Sequence, residues 1–184
     1  FPKLGELGLL GLEYDPAYGG QGADHLFTVI ACEELARCGA GGIPMAIGVQ
    51  SSMATPSLAK FGSEELKQRY LVPLATGRQL AAWGLTEASA GSDAASMRTT
   101  AVRGGADWVI NGTKQFITHG RTGDLIVVTA VTNKSKGSRG ITAFIVERGT
   151  AGFRAGKKED KLGMRASETS EVIFENCRVP PSQV

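Results

Sequence analysis

The chain has 184 residues, 42% of them hydrophobic and 21% charged, the balance of a globular protein with room for one large domain or two small ones. Twenty Lys and Arg against eighteen Asp and Glu leave a net charge of +2. The basic residues are scattered, with only Lys157 and Lys158 adjacent, which excludes a nucleic-acid footprint. No apolar run approaches the ~20 residues needed to cross a bilayer. Cys32, Cys38, Cys177, His25 and His119 show neither metal-ligand spacing nor a disulfide framework, so no metal site is expected, and free thiols point to a reducing compartment.

The start at Phe1-Pro2-Lys3 and the close at Pro180-Pro181-Ser182 read as cuts through a longer polypeptide. Residues 1–77 read as helical. Asp24 is an expected N-cap, followed by Leu26, Phe27, Ile30, Ala31 and Leu35 on one stripe, with Gly39 as the stop. The segment from Ile43 to Ala54 is apolar on nearly every side, the pattern of a buried helix, and carries Pro44 in its first turn. Ser63-Glu64-Glu65 supplies a cap and two acids for a third helix, with Leu66 and Tyr70 inward and a break at Pro73 and Gly77.

From residue 78 the period changes to two. Strands are predicted at 81–86, 99–103, 108–111, 115–118, 125–131, 141–147 and 171–175, separated by Gly104-Gly105, Asn111-Gly112, Gly123-Asp124 and Lys136-Gly137-Ser138. The predicted fold is α+β: an N-terminal helical domain, 1–77, followed by an antiparallel β-barrel or sandwich, 78–184.

No P-loop, dinucleotide fingerprint or serine-hydrolase elbow is present. The unusual segment is Trp83 to Asp93, W-G-L-T-E-A-S-A-G-S-D, a strand running into a loop of hydroxyls, small residues and a glycine. Such a loop exposes backbone N–H groups and lets a flat polar ring approach the main chain. Downstream, Phe116 and Thr118 stand at i and i+2, the same face of a regular strand. Taken as residue types alone, these are an ordinary turn and an ordinary half-buried strand.

Their order and wording together are distinctive. Tyr18-Gly19-Gly20, Gly62-Ser63-Glu64-Glu65-Leu66-Lys67, the T-E-x-x-A-G-S-D run of Thr86 to Asp93, Asn111-Gly112-Thr113-Lys114, Phe116-Ile117-Thr118, Leu162-Gly163-Met164-Arg165 and the final Phe174 to Pro180 resemble the acyl-CoA dehydrogenase family over essentially the whole chain. The resemblance implies FAD as cofactor, lined by Trp83, Leu85, Thr86, Gly91, Ser92, Phe116, Ile117 and Thr118. Thr118 would lie near the flavin atom that accepts the hydride, and Ser92 would also face the thioester of the acyl-CoA substrate. Glu87 and Asp93 would pin the loop. Ala88-Ser89 stands where Pro-Gly is common, Phe116 where Trp is common, and His119 where Asn is common.

The same resemblance implies an electron-transferring flavoprotein as acceptor, docked near an exposed acid at Glu159, a homo-oligomer, and a cytoplasmic or mitochondrial-matrix location. The family's catalytic base lies on a C-terminal helical bundle beyond the match to Val179-Pro180, so no catalytic residue is expected among these 184. The implied reaction is α,β-desaturation of an acyl-CoA to the trans-2-enoyl-CoA. An oxidase of the same fold and a non-catalytic scaffold are the alternatives.

Overall fold

A computed structural model describes residues 1–184. The chain divides into a helical unit, Phe1–Ala81 with Asp160–Ser167, and a β unit, Ala82–Glu159 with Glu168–Val184. No helix is long and apolar enough to cross a membrane.

The helical unit opens with the short α1 (Pro2–Glu6) and continues to α2 (His25–Ala36), whose N-cap Asp24 accepts a hydrogen bond from Leu26 N–H. The expected stripe on α2 does not go inward: the helix buries none of its residues, and Leu26, Phe27 and Ile30 are exposed. Apolar residues occupy several sides of this helix, so spacing alone does not select a buried face.

Residues 42–61 form one helical run: α3 (Gly42–Gly48), a π-helical stretch (Val49–Ala54) and α4 (Thr55–Phe61). Ala46, Ile47, Val49 and Ala54 are buried, whereas Ile43, Met45 and Met53 are exposed, so this segment is only half interior. Residues 64–75 repeat the arrangement as α5 (Glu64–Leu66), a π-helical stretch (Lys67–Leu71) and α6 (Val72–Ala75). Ser63 caps it by accepting from Leu66 N–H, and Leu66 and Tyr70 are buried.

Pro73 does not end this helix, contrary to expectation; Gly77, at φ +69°, follows its close. Both π-helical stretches sit just upstream of a proline, Pro56 and Pro73. Proline lacks the N–H that would return to the preceding turn, and its ring crowds a carbonyl there, so the turn widens instead of breaking. The Thr55 hydroxyl donates to the Gln50 carbonyl at 2.8 Å. Buried Gln50 ties these helices to the start of the first strand. Its amide donates to Leu74 O and Gln79 O, and its carbonyl accepts from Ala81 N–H.

Seven strands form a curled half-barrel: β1 (Ala81–Gly84), β2 (Thr100–Gly104), β3 (Asp107–Thr118), β4 (Leu125–Val131), β5 (Ile141–Glu147), β6 (Phe153–Lys158) and β7 (Thr169–Val179). The order is β1-β4-β2-β3-β7-β6, with β5 pairing β4. The β2–β3, β3–β7, β4–β5 and β6–β7 pairs are antiparallel, and β2 meets β4 in parallel at Thr100 and Val131.

Asn111-Gly112 is not a turn. It lies inside β3, where the register against β7 shifts between Ile110 and Gly112. Gly112 has φ +150°, and a Cβ there would come 2.4 Å from Thr99 Oγ1. The residue pair that signals a hairpin elsewhere here sits opposite an extra residue on β7 and at a close approach of backbone. The sequence also hides β6, because F-R-A-G-K-K has no clean alternation.

The core of the β unit is Ile110, Ile117, Ile126, Val128, Phe144, Val146, Val172, Phe174, Cys177 and Val179 with smaller neighbours. Trp108 meets Phe144 edge-on at 5.6 Å, and Phe153 stacks on Phe174 at 5.1 Å. Six of the seven β4 residues are buried, Thr129 among them.

Candidate functional site

β1 stops at Gly84, where a side chain would strike Ile126 and Val128 of the neighbouring β4. The Thr129 hydroxyl donates to the Gly84 carbonyl. Trp83 on β1 and Leu85 and Thr86 in the loop that follows are half-buried, and Gly91 and Ser92 are exposed. Glu87 and Ala90 close it by exchanging backbone hydrogen bonds at 2.9 and 3.2 Å.

The second segment arrives from β3. Gln115 N–H donates to Thr86 O at 2.8 Å, which places Thr86 beside the 115–118 stretch across 29 residues of chain. The register of β3 against β7 shifts again between Lys114 and Ile117. Phe116 inside that bulge has φ +58° and the residue is 61% exposed. A bulky aromatic in the left-handed region is held there by its surroundings and directs attention to function. Regular alternation, the expected reason for Phe116 and Thr118 sharing a face, is therefore interrupted. Burial still alternates, with Phe116 exposed, Ile117 in the core and Thr118 half-buried. The Ile117 side chain belongs to the hydrophobic core, so it anchors the segment and leaves only its backbone for a ligand.

Beneath both segments lies a feature that residue types did not announce. Lys114 is fully buried, and its Nζ donates to Glu87 Oε1 and to Leu85 O, each at 2.9 Å. The Glu87 carboxylate also accepts from Arg98 N–H at 2.7 Å and Thr99 N–H at 3.0 Å. Burial pushes the Glu87 carboxyl up, yet these hydrogen bonds outweigh it and hold the group below its ordinary value. Burial lowers the Lys114 ammonium, against the opposing pull of Glu87. Removing one partner of such a pair costs about 3–5 kcal/mol, because an uncompensated charge stays in the interior. The available signal was parity, since Lys114 stands an even number of positions from buried Ile110; a lysine at an inward position is not expected from its residue type.

The expected docking acid, Glu159, is half-buried instead of exposed, with its N–H donating to Thr169 O, and it follows the exposed Lys157 and Lys158. His119 has φ +64° and is buried, with its N–H donating to Glu168 O. No group of His, Cys, Asp and Glu able to hold a metal forms. The helical unit has its own cavity of about 200 Å³, lined by Leu9, Tyr14, Ala31, Cys32, Pro44 and Ile47 among others.

An exposed aromatic ring, half-buried hydroxyls at Thr86 and Thr118, and open main chain at Gly91, where a Cβ would meet nothing within 4 Å, suit a flat heteroaromatic ligand with polar edges. The comparisons with known proteins decide the family. Residues 1–78 match the family described as acyl-CoA dehydrogenase, N-terminal domain, and residues 82–177 match acyl-CoA dehydrogenase, middle domain. The chain belongs to the acyl-CoA dehydrogenase family.

Among its relatives, the short-chain specific acyl-CoA dehydrogenase of Clostridium acetobutylicum is 46% identical over 179 residues, 97% of this chain and 47% of that protein. Butyryl-CoA dehydrogenase from Megasphaera elsdenii superposes with a TM-score of 0.94 at 41% identity, over 99% of this chain and 48% of that one. A glutaryl-CoA dehydrogenase from Mycobacterium smegmatis, solved in complex with FADH2, gives 0.91 at 40% identity, over 99% and 45%. The chain thus spans about half the length of the relatives it matches.

Proposed function

We propose that the chain is the helical and flavin-contacting β portion, about residues 1–77 and 78–184, of an FAD-dependent enzyme that desaturates an acyl-CoA to the trans-2-enoyl-CoA. The observation that carries the reading is the bulge at Phe116, which offers an aromatic face beside Thr86 and Thr118 on segments joined through Gln115 N–H and Thr86 O. Trp83 and Leu85 would pack at the ring, Thr86 and Thr118 would hydrogen-bond its polar edge, and Gly91 would admit close approach. Exposed Ser92 would face both the flavin and the thioester. Bound FAD supplies the electron acceptor for the desaturation; these residues hold and orient it.

We assign no catalytic base to this chain and expect no turnover from these 184 residues alone. An electron-transferring flavoprotein as oxidant, with Glu159 near its docking surface, a homo-oligomeric whole enzyme, and a cytoplasmic or mitochondrial-matrix setting complete the reading.

Equilibrium titration of the 184-residue chain with FAD, followed by flavin fluorescence, tests it. Weak but saturable quenching is expected. Phe116→Ala should weaken it about tenfold, equivalent to about 1.4 kcal/mol. Absence of saturable quenching, or equal affinity in Phe116→Ala, overturns the assignment of this surface to flavin.

A further inference from the structure

We infer that the buried Lys114–Glu87 pair is a positioning element that sets both flavin-facing segments from one fixed point, so that the 85–93 loop and the 115–118 bulge cannot shift independently. Its link to flavin rests on the proposed function; its geometry stands apart from it.

The connections converge on Thr86. On one side the Leu85 carbonyl is held by Lys114 Nζ, and on the other the Glu87 carboxylate is held by the same ammonium. The carbonyl of Thr86 itself accepts from the residue after Lys114, Gln115. Thr86 is therefore bracketed in sequence and tied across to β3, which fixes its backbone and with it the direction in which its side chain leaves the chain. The far stem of the loop joins the same knot, since Glu87 also binds the N–H groups of Arg98 and Thr99, and Met97 Sδ lies 3.9 Å from Lys114 Nζ.

The second segment is bounded in the same manner. Lys114 at one end and Ile117 at the other are buried, with 0% and 2% exposure. The register shift falls between them. With both ends anchored and one residue too many for the ladder, Phe116 is forced outward into its left-handed conformation.

Energetics favour positioning over bulk stability. Desolvating two charges offsets much of their attraction, so the charge–charge contact by itself adds little to stability. What apolar side chains cannot do is specify direction. They would leave Leu85 O, Arg98 N–H and Thr99 N–H without partners and free the loop to settle elsewhere. The pair is thus a positioning device one layer behind the residues proposed to touch the ring.

Three variants test this in the 184-residue chain: Lys114→Met, Glu87→Gln, and Arg154→Met, which removes the exposed Arg154–Glu175 pair as a control. Two readouts are used well below the unfolding temperature of each. The first is amide hydrogen exchange at Gln115, Arg98 and Thr99 without flavin. The second is FAD affinity together with the position of the bound-flavin absorbance bands. Lys114→Met should speed exchange at these amides at least tenfold relative to Ile126 in β4, weaken FAD binding at least tenfold and move the bands. Glu87→Gln, which keeps an acceptor oxygen, should do so to a smaller degree, and Arg154→Met should do neither.

Should Lys114→Met fail to fold, Glu87→Gln carries the same comparison. Unchanged exchange at Gln115, or unchanged affinity and spectrum in folded variants, overturns the inference. If the unsubstituted chain shows no saturable FAD binding while the exchange result is as expected, the flavin reading fails and the pinning stands.

Discussion

In the β unit, Ile110, Ile126, Val128, Phe144, Val146, Val172 and Val179 are each wholly withdrawn from solvent. In the helical unit, α2 buries none of its twelve residues, although Leu26, Phe27, Val29, Ile30 and Leu35 all lie on it. The two regions differ in what their patterns specify. Alternation along a strand offers only two faces, so one apolar set selects the inner one. A helix distributes its side chains around a full circle, and apolar residues on several sides leave the inward direction to whatever packs against it. The β unit therefore carries its own core, whereas the apolar surface of α2 adds little to the stability of these 184 residues.

This contrast is open to direct attack. Phe144→Ala should cost about 3–5 kcal/mol by urea unfolding monitored at the β unit, whereas Phe27→Ala should stay within about 0.5 kcal/mol. Comparable losses for the two would erase the distinction.

A smaller effect belongs to the acid limb. The Glu87 carboxyl is held below its ordinary value of 4.5 in the folded state. Between the folded and unfolded values the unfolded chain binds more protons, so this contribution is complete above the unfolded value and fades as pH falls through the folded one. Urea midpoints measured from about pH 6 to about pH 3 should fall for the unsubstituted chain, and Glu87→Gln should flatten the part of that fall contributed by this group.

The smallest change concerns the cap that the helical unit does use. Ser63→Ala removes the acceptor for Leu66 N–H and should cost about 1 kcal/mol by thermal unfolding. A loss much above that would mean the 64–75 helix carries more of the unit than the exposed α2 suggests.

Much of the fold was readable in advance. Strands β4 and β5 fall at the positions their apolar, β-branched runs indicate, and Asp24 and Ser63 cap the helices they precede. The misreadings share a cause. Pro73 and Asn111-Gly112 are strong local punctuation, yet a π-helical turn absorbed the proline and a bulge absorbed the Asn-Gly pair. In both places the neighbouring packing outweighed a local preference worth a few kcal/mol at most. At the candidate site the wording of Thr86 to Asp93 and of Phe116 to Thr118 was legible as residue types. The left-handed backbone of Phe116 and the core placement of Ile117 were not, because each depends on a register shift, and the buried state of Lys114 was not, because it depends on the distant Glu87 carboxylate.

The sequence by itself determined the family, the order of helices before strands, the caps and the identity of the loop and strand segments, since these follow from spacing and residue type along the chain. Only the tertiary structure decided that Lys114 and Glu87 meet out of solvent and that Thr86 is tied to Gln115. Contacts between residues 27 and 29 positions apart arise from how strands pair and bulge, and no local period encodes that.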